Sequence, residues 1–316
     1  MNNYVIEVEN LIVDFPGVRA VDGVSLRVQE GEIFGLVGPD GAGKTTTIRV
    51  LATILKPTSG TVKIWGKDIA RGVRPVRGSI GYMSQRFNLY GDLTVEENLR
   101  FFADIYGIAD SERDKRMKEL LHFARLEDFT NRRAEFLSGG MKKKLALACT
   151  LIYKPKVLLL DEPTTGVDPV SRREFWSILS ELRGNGMTLF ISTPYMDEAE
   201  RCSTVAFMDG GKIKLCSSPN AIKASFSGEV VELIARPQRK TQQLISSFDY
   251  VRDIEVYGER LQITVDNAQE AAKRLESDLS GMVELISILP KAPTMESAFI
   301  EMIRTGSRGQ RPEARV

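Results

Sequence analysis

The chain has few of the residues and patterns that mark several protein classes. Its 316 residues include one histidine and three cysteines, an odd number, at Cys149, Cys202 and Cys216, and these have no metal-ligand spacing. We interpret them as reduced core residues of a cytosolic protein. No apolar run approaches the roughly 18 residues that a membrane-spanning helix needs, and the first residues lack the segments of a signal peptide. We therefore expect any membrane role to come through a partner.

The chain also lacks an excess of charge. Lys plus Arg number 43 against 42 Asp plus Glu, which gives a formal net charge of +1. Binding to nucleic acid or to an anionic membrane surface usually requires a positive excess, so we expect no nucleic-acid partner. The hydrophobic fraction of 42% is ordinary for a globular protein. The length allows a large domain with a small one, or two comparable domains.

One segment indicates nucleotide binding by itself. Residues 38–46 follow an apolar strand, lead into a helix and match the pattern G-x-x-x-x-G-K-[ST]. Glycines let successive N–H groups point at phosphate oxygens, and the helix N-terminus adds its positive end. Lys44 can reach the β- and γ-phosphates, and the Thr45 hydroxyl can hold Mg²⁺. The expected nucleotide-binding residues of this phosphate loop are Gly38, Pro39, Asp40, Gly41, Ala42, Gly43, Lys44, Thr45 and Thr46.

Three further segments carry groups suited to the same chemistry. An apolar strand at 157–160 ends in Asp161 and Glu162, which can hold Mg²⁺ and polarise an attacking water, respectively. Gln85 follows another predicted strand and can reach metal and water. The segment 137–141 opens a helix, and its serine hydroxyl and backbone amides suit a phosphate. We therefore expect catalysis from Glu162 and Gln85, and metal binding by Thr45, Gln85 and Asp161.

In order and spacing these motifs resemble those of the ATP-binding cassette (ABC) ATPases. The resemblance covers about residues 4–225, and the motifs are most similar to those of ATPase subunits of ABC-2-type exporters. It implies an α/β P-loop fold: a mixed sheet core with an antiparallel β subdomain and a helical subdomain. It also implies that Phe15 stacks on adenine. The resemblance further implies that the nucleotide is contacted by the family's signature motif, here Ser138, Gly139 and Gly140, and by its D-loop, here Asp168.

The resemblance implies a transport ATPase that works in pairs. Two cassettes would sandwich two ATP molecules, each held by the phosphate loop of one chain and the signature of the other. Closure would move a separate ABC-2-type permease, and the chain would sit at the cytoplasmic face of the cell membrane through that permease. Residues between Arg86 and Arg100 would form part of the groove for a permease helix. A homodimer and an asymmetric heterodimer both remain open.

Three positions depart from the family pattern, of which Met141, where many cassettes have glutamine, is a familiar variation among ABC-2 subunits. Pro194 stands where the family has a switch histidine, and proline offers neither a side-chain donor nor a backbone N–H. Asp40 stands where asparagine is usual, and its carboxylate adds repulsion toward a triphosphate. A catalytically weak regulatory subunit, whose signature completes a partner's site, is therefore an alternative to a hydrolysing subunit. A cassette acting on ribosomes or DNA is a third interpretation, which the neutral charge disfavours.

Periodicity suggests three regions along the chain. Residues 1–225 would form the cassette, with a helical subdomain at about 86–150. Residues 229–303 have the strand and helix order βαββαβ, which is compatible with a small ferredoxin-like α+β domain. We expect residues 304–316 to be a flexible tail.

Local patterns give three finer predictions. Thr94 and Glu97 have the spacing of a capping box at the start of a helix. The lysines at 142–144 are expected to form a solvated face of the signature helix. Residues 197–200 are expected to begin a surface helix.

Overall fold

The computed structural model describes residues 4–86 and 89–299 of the chain. These residues divide into two compact units, with the boundary between Pro219 and Asn220. The domain limits given above stay a prediction, and the predicted tail at 304–316 lies outside the described residues. Within the described part of the chain, no helix is both long enough and apolar enough to cross a membrane.

The first unit alternates strands and helices along most of its length. In chain order its elements are β1 (Tyr4–Phe15), β2 (Val18–Gln29), β3 (Ile33–Val37), α1 (Lys44–Leu51), β4 (Ser59–Ile64), β5 (Lys67–Asp68), α2 (Arg74–Arg77), β6 (Ile80–Met83), α3 (Val95–Ile105), α4 (Asp110–Ala124), α5 (Gly139–Leu151), β7 (Val157–Asp161), α6 (Pro169–Gly184), β8 (Thr188–Thr193), α7 (Met196–Ala199), β9 (Thr204–Asp209) and β10 (Lys212–Ser217). Helix α8 (Pro219–Ala224) follows them.

A six-stranded sheet in the order β10-β9-β3-β8-β7-β6 forms the centre of this unit. Its strand pairs are parallel except for the β9–β10 hairpin. Every residue of β3, β7 and β8 is buried, as is typical of parallel strands covered on both faces. The register aligns Val37 with Thr193 and Asp161 with Ser192, so the carboxyl ends of three strands meet at one edge. Ligands of open α/β sheets bind at such an edge.

The three cysteines of this unit differ in burial. Cys149 of α5 and Cys202 are buried, as the sequence predicts, and burial raises the pKa of both thiols. The prediction of a core position is wrong for Cys216, which is exposed. It lies on β10, an outer strand of the sheet, where alternate residues face away from the protein.

An antiparallel sheet in the order β2-β1-β4-β5 packs beside the central sheet. Strand β1 pairs antiparallel with both β2 and β4. Its buried side chains, such as Ile6 and Leu11, belong to the same hydrophobic cluster as Phe34 of β3 and Ile48 of α1. This shared core fixes the first strands against the segment that carries the phosphate loop.

Helices α3, α4 and α5 form a separate cluster of apolar side chains, which includes Leu99, Leu121 and Leu145. The predicted capping box is present: Thr94 Oγ1 accepts from the Glu97 N–H at 3.1 Å, and Glu97 accepts from the Thr94 N–H at 2.8 Å. Helix α3 therefore starts where the local sequence predicts.

The second unit has the predicted βαββαβ order. Its elements are β11 (Glu229–Arg236), α9 (Gln238–Ile245), β12 (Val251–Tyr257), β13 (Arg260–Val265), α10 (Ala268–Leu279) and β14 (Glu284–Lys291). The strands form one antiparallel sheet in the order β12-β13-β11-β14. Side chains of β11 and β13 pack with those of α10 in a core that includes Val231, Ile263 and Leu275. This is the topology of a ferredoxin-like unit.

Candidate functional site

The phosphate loop joins β3 to α1, and two of its glycines have no space for a side chain. A Cβ at Gly38 would lie 2.0 Å from the Met208 carbonyl oxygen. A Cβ at Gly43, where φ is +105°, would lie 2.4 Å from the Ala20 carbonyl oxygen. Gly43 also occupies the N-cap of α1, where no side chain of the described residues forms a cap. The first N–H groups of α1 are therefore suited to an anionic ligand.

Lys44 bridges the loop and the end of β7. Its side chain is 3% exposed, and its ammonium donates to the carbonyl oxygens of Gly38 at 2.8 Å and Pro39 at 2.9 Å. The same ammonium lies 3.5 Å from Glu162 Oε1. The predicted phosphate-binding lysine and the predicted general base thus face each other across the site.

The predicted Mg²⁺ ligands Thr45 and Asp161 are neighbours. Thr45 Oγ1 donates to Asp161 Oδ1 at 3.0 Å, and Ser192 Oγ donates to the same oxygen at 2.7 Å. Within the described ranges, no group of three or more His, Cys, Asp or Glu could hold a metal alone. A hydroxyl and one carboxylate nevertheless fit Mg²⁺, which takes few protein ligands and completes its shell with phosphate oxygens and water.

Glu162 is held by hydrogen bonds on its backbone and on its side chain. Its N–H donates to Ser192 O at 3.1 Å and to Ser192 Oγ at 3.0 Å. Its Oε2 accepts from Gln85 Nε2 at 2.9 Å and from Thr165 Oγ1 at 3.3 Å. The backbone of Glu162 is left-handed, with φ of 46°, which costs a residue with a side chain on the order of 1–3 kcal/mol. These surrounding contacts maintain that conformation.

The prediction that the lysines at 142–144 form a solvated face is wrong for two of them. Lys143 and Lys144 are 2% and 7% exposed, so they do not form a solvated face. Lys143 Nζ donates to Gln85 O at 3.2 Å and to Glu162 O at 3.4 Å, whereas Lys144 Nζ pairs with Glu174 at 2.7 Å. Burial lowers the pKa of Lys143, and the negative charges of Glu162 and Asp161 oppose this shift.

A signal for these buried lysines was present in the sequence. Both precede the apolar run Leu145–Leu151, whose residues are buried on nearly every face of α5. A helix that is apolar all round is enclosed by the protein, so a charged residue on it must find an internal partner. Three consecutive lysines are more typical of a solvated surface, and for this reason their burial is not predicted from the sequence.

The segment after β8 contains a second group that sequence reasoning missed. Glu198 is 0% exposed, although residues 197–200 were expected to begin a surface helix. One carboxylate oxygen accepts from Thr193 Oγ1 at 2.6 Å, and the other accepts from Thr164 Oγ1. Glu198 thereby connects the end of β8 to the segment that follows Glu162. Pro194, next to Thr193, is half-buried.

The predicted signature and D-loop residues form a group of their own. Ser138 caps α5 by accepting from the Met141 N–H at 3.3 Å, and both Ser138 and Gly139 are exposed. Gly140 is buried, and a Cβ there would lie 2.5 Å from Ser171 Cβ. Asp168 caps α6 and accepts from the N–H groups of Val170 at 3.0 Å and Ser171 at 2.9 Å.

The predicted nucleotide-binding residues therefore fall into two groups. The phosphate loop contacts the end of β7, whereas Gly140 of the signature contacts α6, whose N-terminus Asp168 caps. Phe15 is 44% exposed in the β1–β2 hairpin, and Ala20 of that hairpin approaches Gly43. Five other residues predicted to bind the nucleotide also lie in the loop or at the start of α1; they are the exposed Pro39, Asp40 and Gly41, the buried Ala42 and the half-buried Thr46.

A cavity of about 380 Å³ is lined in part by Ser84 and Arg86, the two residues that flank Gln85 in the chain. Tyr82, Arg86, Phe102 and Tyr106 contribute to its lining. Tyr106 is about half exposed, and its ring stacks on that of Tyr153, with 3.8 Å between the centroids. The cavity is thus a partly apolar groove between the end of β6 and the helices α3 and α5.

Known proteins similar to this chain are components of one class of transporter. A family model described as ABC transporter matches residues 21–165. A probable multidrug ABC transporter ATP-binding protein, YbhF of Escherichia coli (strain K12), is 41% identical over 99% of this chain. The match covers 54% of that protein, so this chain spans about half its length. The Nod factor export ATP-binding protein I of Paraburkholderia xenovorans (strain LB400) is 38% identical over 94% of this chain and 96% of its own length.

A solved structure shares the fold. It is the dimeric post-hydrolysis state of an ATP-binding cassette with ADP and phosphate, and it is 27% identical with a TM-score of 0.62. The similarity covers 67% of this chain and 98% of that one. The predicted α/β fold class, a P-loop cassette with a mixed sheet, is confirmed.

Proposed function

Because the chain belongs to the family of ABC transporter ATP-binding proteins, we propose that it binds and hydrolyses Mg²⁺-ATP to drive a membrane exporter of the ABC-2 type. The observation that carries this proposal is the convergence of Lys44, Thr45, Asp161, Glu162 and Gln85 at one edge of the parallel sheet. A cation, a pair of oxygen ligands and a buried carboxylate in contact with one another are the groups that phosphoryl transfer to water needs.

The residues have distinct roles in the proposed reaction. The N–H groups at the start of α1 and the Lys44 ammonium bind the β- and γ-phosphates. Thr45, Gln85 and Asp161 would hold Mg²⁺, which when bound would neutralise charge on those phosphates. Glu162 accepts a proton from the attacking water, and the Gln85 amide orients the Glu162 carboxylate through its hydrogen bond. Phe15 supplies an aromatic face for adenine.

The two groups of site residues support a paired arrangement. Ser138 and Gly139 are exposed, and a Cβ at Gly139 would lie 3.7 Å from the carbonyl oxygen of Gly166, in the segment that leads to α6. In the proposal these residues and Asp168 complete the ATP site of a second cassette, either an identical chain or a different one. The groove beside Gln85 receives a helix of a separate permease, which holds the chain at the cytoplasmic face of the membrane. The names of the two relatives, multidrug transport and Nod factor export, favour export.

Phosphate release by the purified chain tests the central claim. Glu162→Gln keeps the size of the side chain but removes the base, and we expect kcat to fall on the order of 10²–10⁴-fold with ATP affinity retained. Glu181→Gln, at an exposed position of α6, is the matched control and should leave kcat unchanged. Equal turnover in native and Glu162→Gln chains would contradict the proposal.

Pro194 favours a second candidate, a regulatory subunit with weak turnover. It follows β8 where the family has its switch histidine, and the adjacent Thr193 hydroxyl is engaged by Glu198. Such a chain binds ATP itself and completes a partner's site with its signature. Turnover that rises at least 10-fold in Pro194→His would support this candidate. The candidate would be contradicted if the native chain alone shows turnover that depends on Glu162 and if Pro194→His does not raise that turnover.

A further inference from the structure

A buried lysine of the signature helix contacts the hydrolytic residues of its own chain. Lys143 lies one turn into α5, and its ammonium donates to the backbone carbonyls of Gln85 and Glu162. These two residues belong to different segments, separated from Lys143 by 58 and 19 positions. One side chain therefore joins the Gln85 loop, the end of β7 and the helix that Ser138 caps.

The two residues that Lys143 contacts also bind each other. Gln85 Nε2 donates to Glu162 Oε2, so Glu162 is linked to Gln85 directly by side chains and indirectly through Lys143. Ser192 binds the Glu162 N–H, and Lys143 binds its carbonyl. The peptide groups on both sides of a left-handed residue are thus fixed, and with them the direction in which its carboxylate points.

Packing alone gives no reason for a charge at this position. A buried ammonium is costly unless carbonyl or carboxylate groups compensate it, and methionine would fill a similar volume without that cost. Lys143 has such compensation from two carbonyl oxygens and from the nearby charges of Asp161 and Glu162. The charge is therefore matched to groups of the hydrolytic site.

The neighbouring lysine provides an internal comparison. Lys144 is also buried in α5, but its ammonium pairs with Glu174 of α6 at 2.7 Å. Both lysines occupy the same helix and are nearly equally enclosed, but of the two it is Lys143 that contacts the predicted general base. If the same substitution lowers kcat more at Lys143 than at Lys144, the difference is therefore due to the contact with Glu162 and not to the loss of a buried lysine from α5.

We propose that Lys143 is a positioning residue for ATP hydrolysis: it holds the carbonyls of Gln85 and Glu162 together and so fixes the Glu162 carboxylate in the geometry of a general base. The inference rests on the proposed function, because it gives Lys143 a part in that hydrolysis. It also links two sites. Helix α5 presents Ser138 toward a partner's nucleotide while its Lys143 holds the base of its own chain, so a shift of α5 reaches Glu162.

Steady-state hydrolysis by Lys143→Met, compared with Lys144→Met, tests the inference. We expect kcat of Lys143→Met to fall on the order of 10- to 100-fold with ATP affinity within about threefold of native, because the base is misplaced but the phosphate loop is intact. Lys143→Arg, which keeps the charge and the donors, should recover most of kcat. Lys144→Met should retain at least a third of the native kcat.

A combined variant separates positioning from general structural damage. Lys143 and Gln85 hold the same glutamate, so the loss in Lys143→Met/Gln85→Ala should be smaller than the product of the single losses. If Lys143→Met does not fold, Lys143→Gln replaces it; its shorter neutral amide cannot span both carbonyls and should lower kcat at least fivefold.

The outcomes distinguish this inference from the proposed function. A folded Lys143→Met or Lys143→Gln chain with native kcat overturns the inference alone, because turnover is present and does not need the lysine. Equal losses in Lys143→Met and Lys144→Met, or a parallel loss of ATP affinity, also overturn it. A native chain without Glu162-dependent turnover contradicts the proposed function and the inference together.

Discussion

The two groups of predicted nucleotide-binding residues differ in burial and in the number of partners that each residue has within the chain. Around the phosphate loop, Lys44, Asp161 and Glu162 are buried and each has partners within the chain. In the signature group, Ser138 and Asp168 are exposed and mainly cap their own helices. The first group is buried and internally hydrogen-bonded, whereas the second is an exposed surface that, in the proposal, meets the nucleotide of a second cassette. Variants of the first group should therefore change ATP binding by the isolated chain, whereas variants of the second should change turnover only in the assembled pair.

The largest expected effect is that of Gly38→Ala. Its Cβ would lie 2.0 Å from the Met208 carbonyl, so the backbone of the loop or of β9 must move. We expect a loss of about 1–3 kcal/mol in the free energy of unfolding and at least a 100-fold loss of ATP affinity, measured by calorimetry. Gly139→Ala is the control on the signature side, where the nearest atom is 3.7 Å away. A stable Gly38→Ala chain with native affinity would break the comparison.

Ser138→Asp should have a smaller effect, and only on turnover. Aspartate caps a helix as well as serine does, so α5 should remain stable and the isolated chain should bind ATP normally. The added negative charge would face the triphosphate bound to a partner cassette, and we expect kcat of the pair to fall on the order of 100-fold. Ser138→Asn keeps the cap without the charge and should lose less. Reduced ATP affinity in the isolated Ser138→Asp chain would show that the two groups are not separate.

Asp168 should give the smallest effect, which is on stability. Its hydrogen bonds to Ser171 hold the pKa of the carboxylate below the ordinary value of 3.8. The pKa of Asp168 is lower in the folded chain than in the unfolded chain. The carboxylate therefore contributes its full stabilisation above the unfolded-state pKa, and this stabilisation is lost as pH falls through the folded-state pKa. Asp168→Ala should lower the Tm by a few degrees at pH 7. Asp168→Asn should keep the cap and lose less stability than the native chain between pH 4 and 3, as followed by circular dichroism.

Sequence patterns predicted the parts of the molecule whose cause is local. The phosphate loop is recognisable because its glycines, Lys44 and Thr45 follow one another within a few positions, as phosphate binding requires. The capping box at Thr94 is recognisable because both partners lie within four residues. The βαββαβ order of the second unit follows from periodicity and from short turns, such as the one that pairs Tyr257 of β12 with Arg260 of β13.

Long-range contacts were not predictable in the same way. Lys143 and Glu198 look like surface charges in the sequence, since each lies in a run of charged residues. Their partners Gln85, Glu162 and Thr164 are brought to them only by the pairing of β6, β7 and β8. The roles assigned to Phe15, Asp40 and the signature residues remain predictions, because they depend on a nucleotide and a second chain.

The two hydrogen bonds of Glu198 have a consequence for how the segments around the site move relative to each other. A carboxylate is a rigid planar group, and here its two oxygens accept from hydroxyls on different segments, Thr164 before the D-loop and Thr193 at the end of β8. Thr164 and Glu198 are 34 positions apart in the chain. As long as both bonds persist, a displacement of one segment is transmitted to the other through this carboxylate, so we expect the two segments to move together.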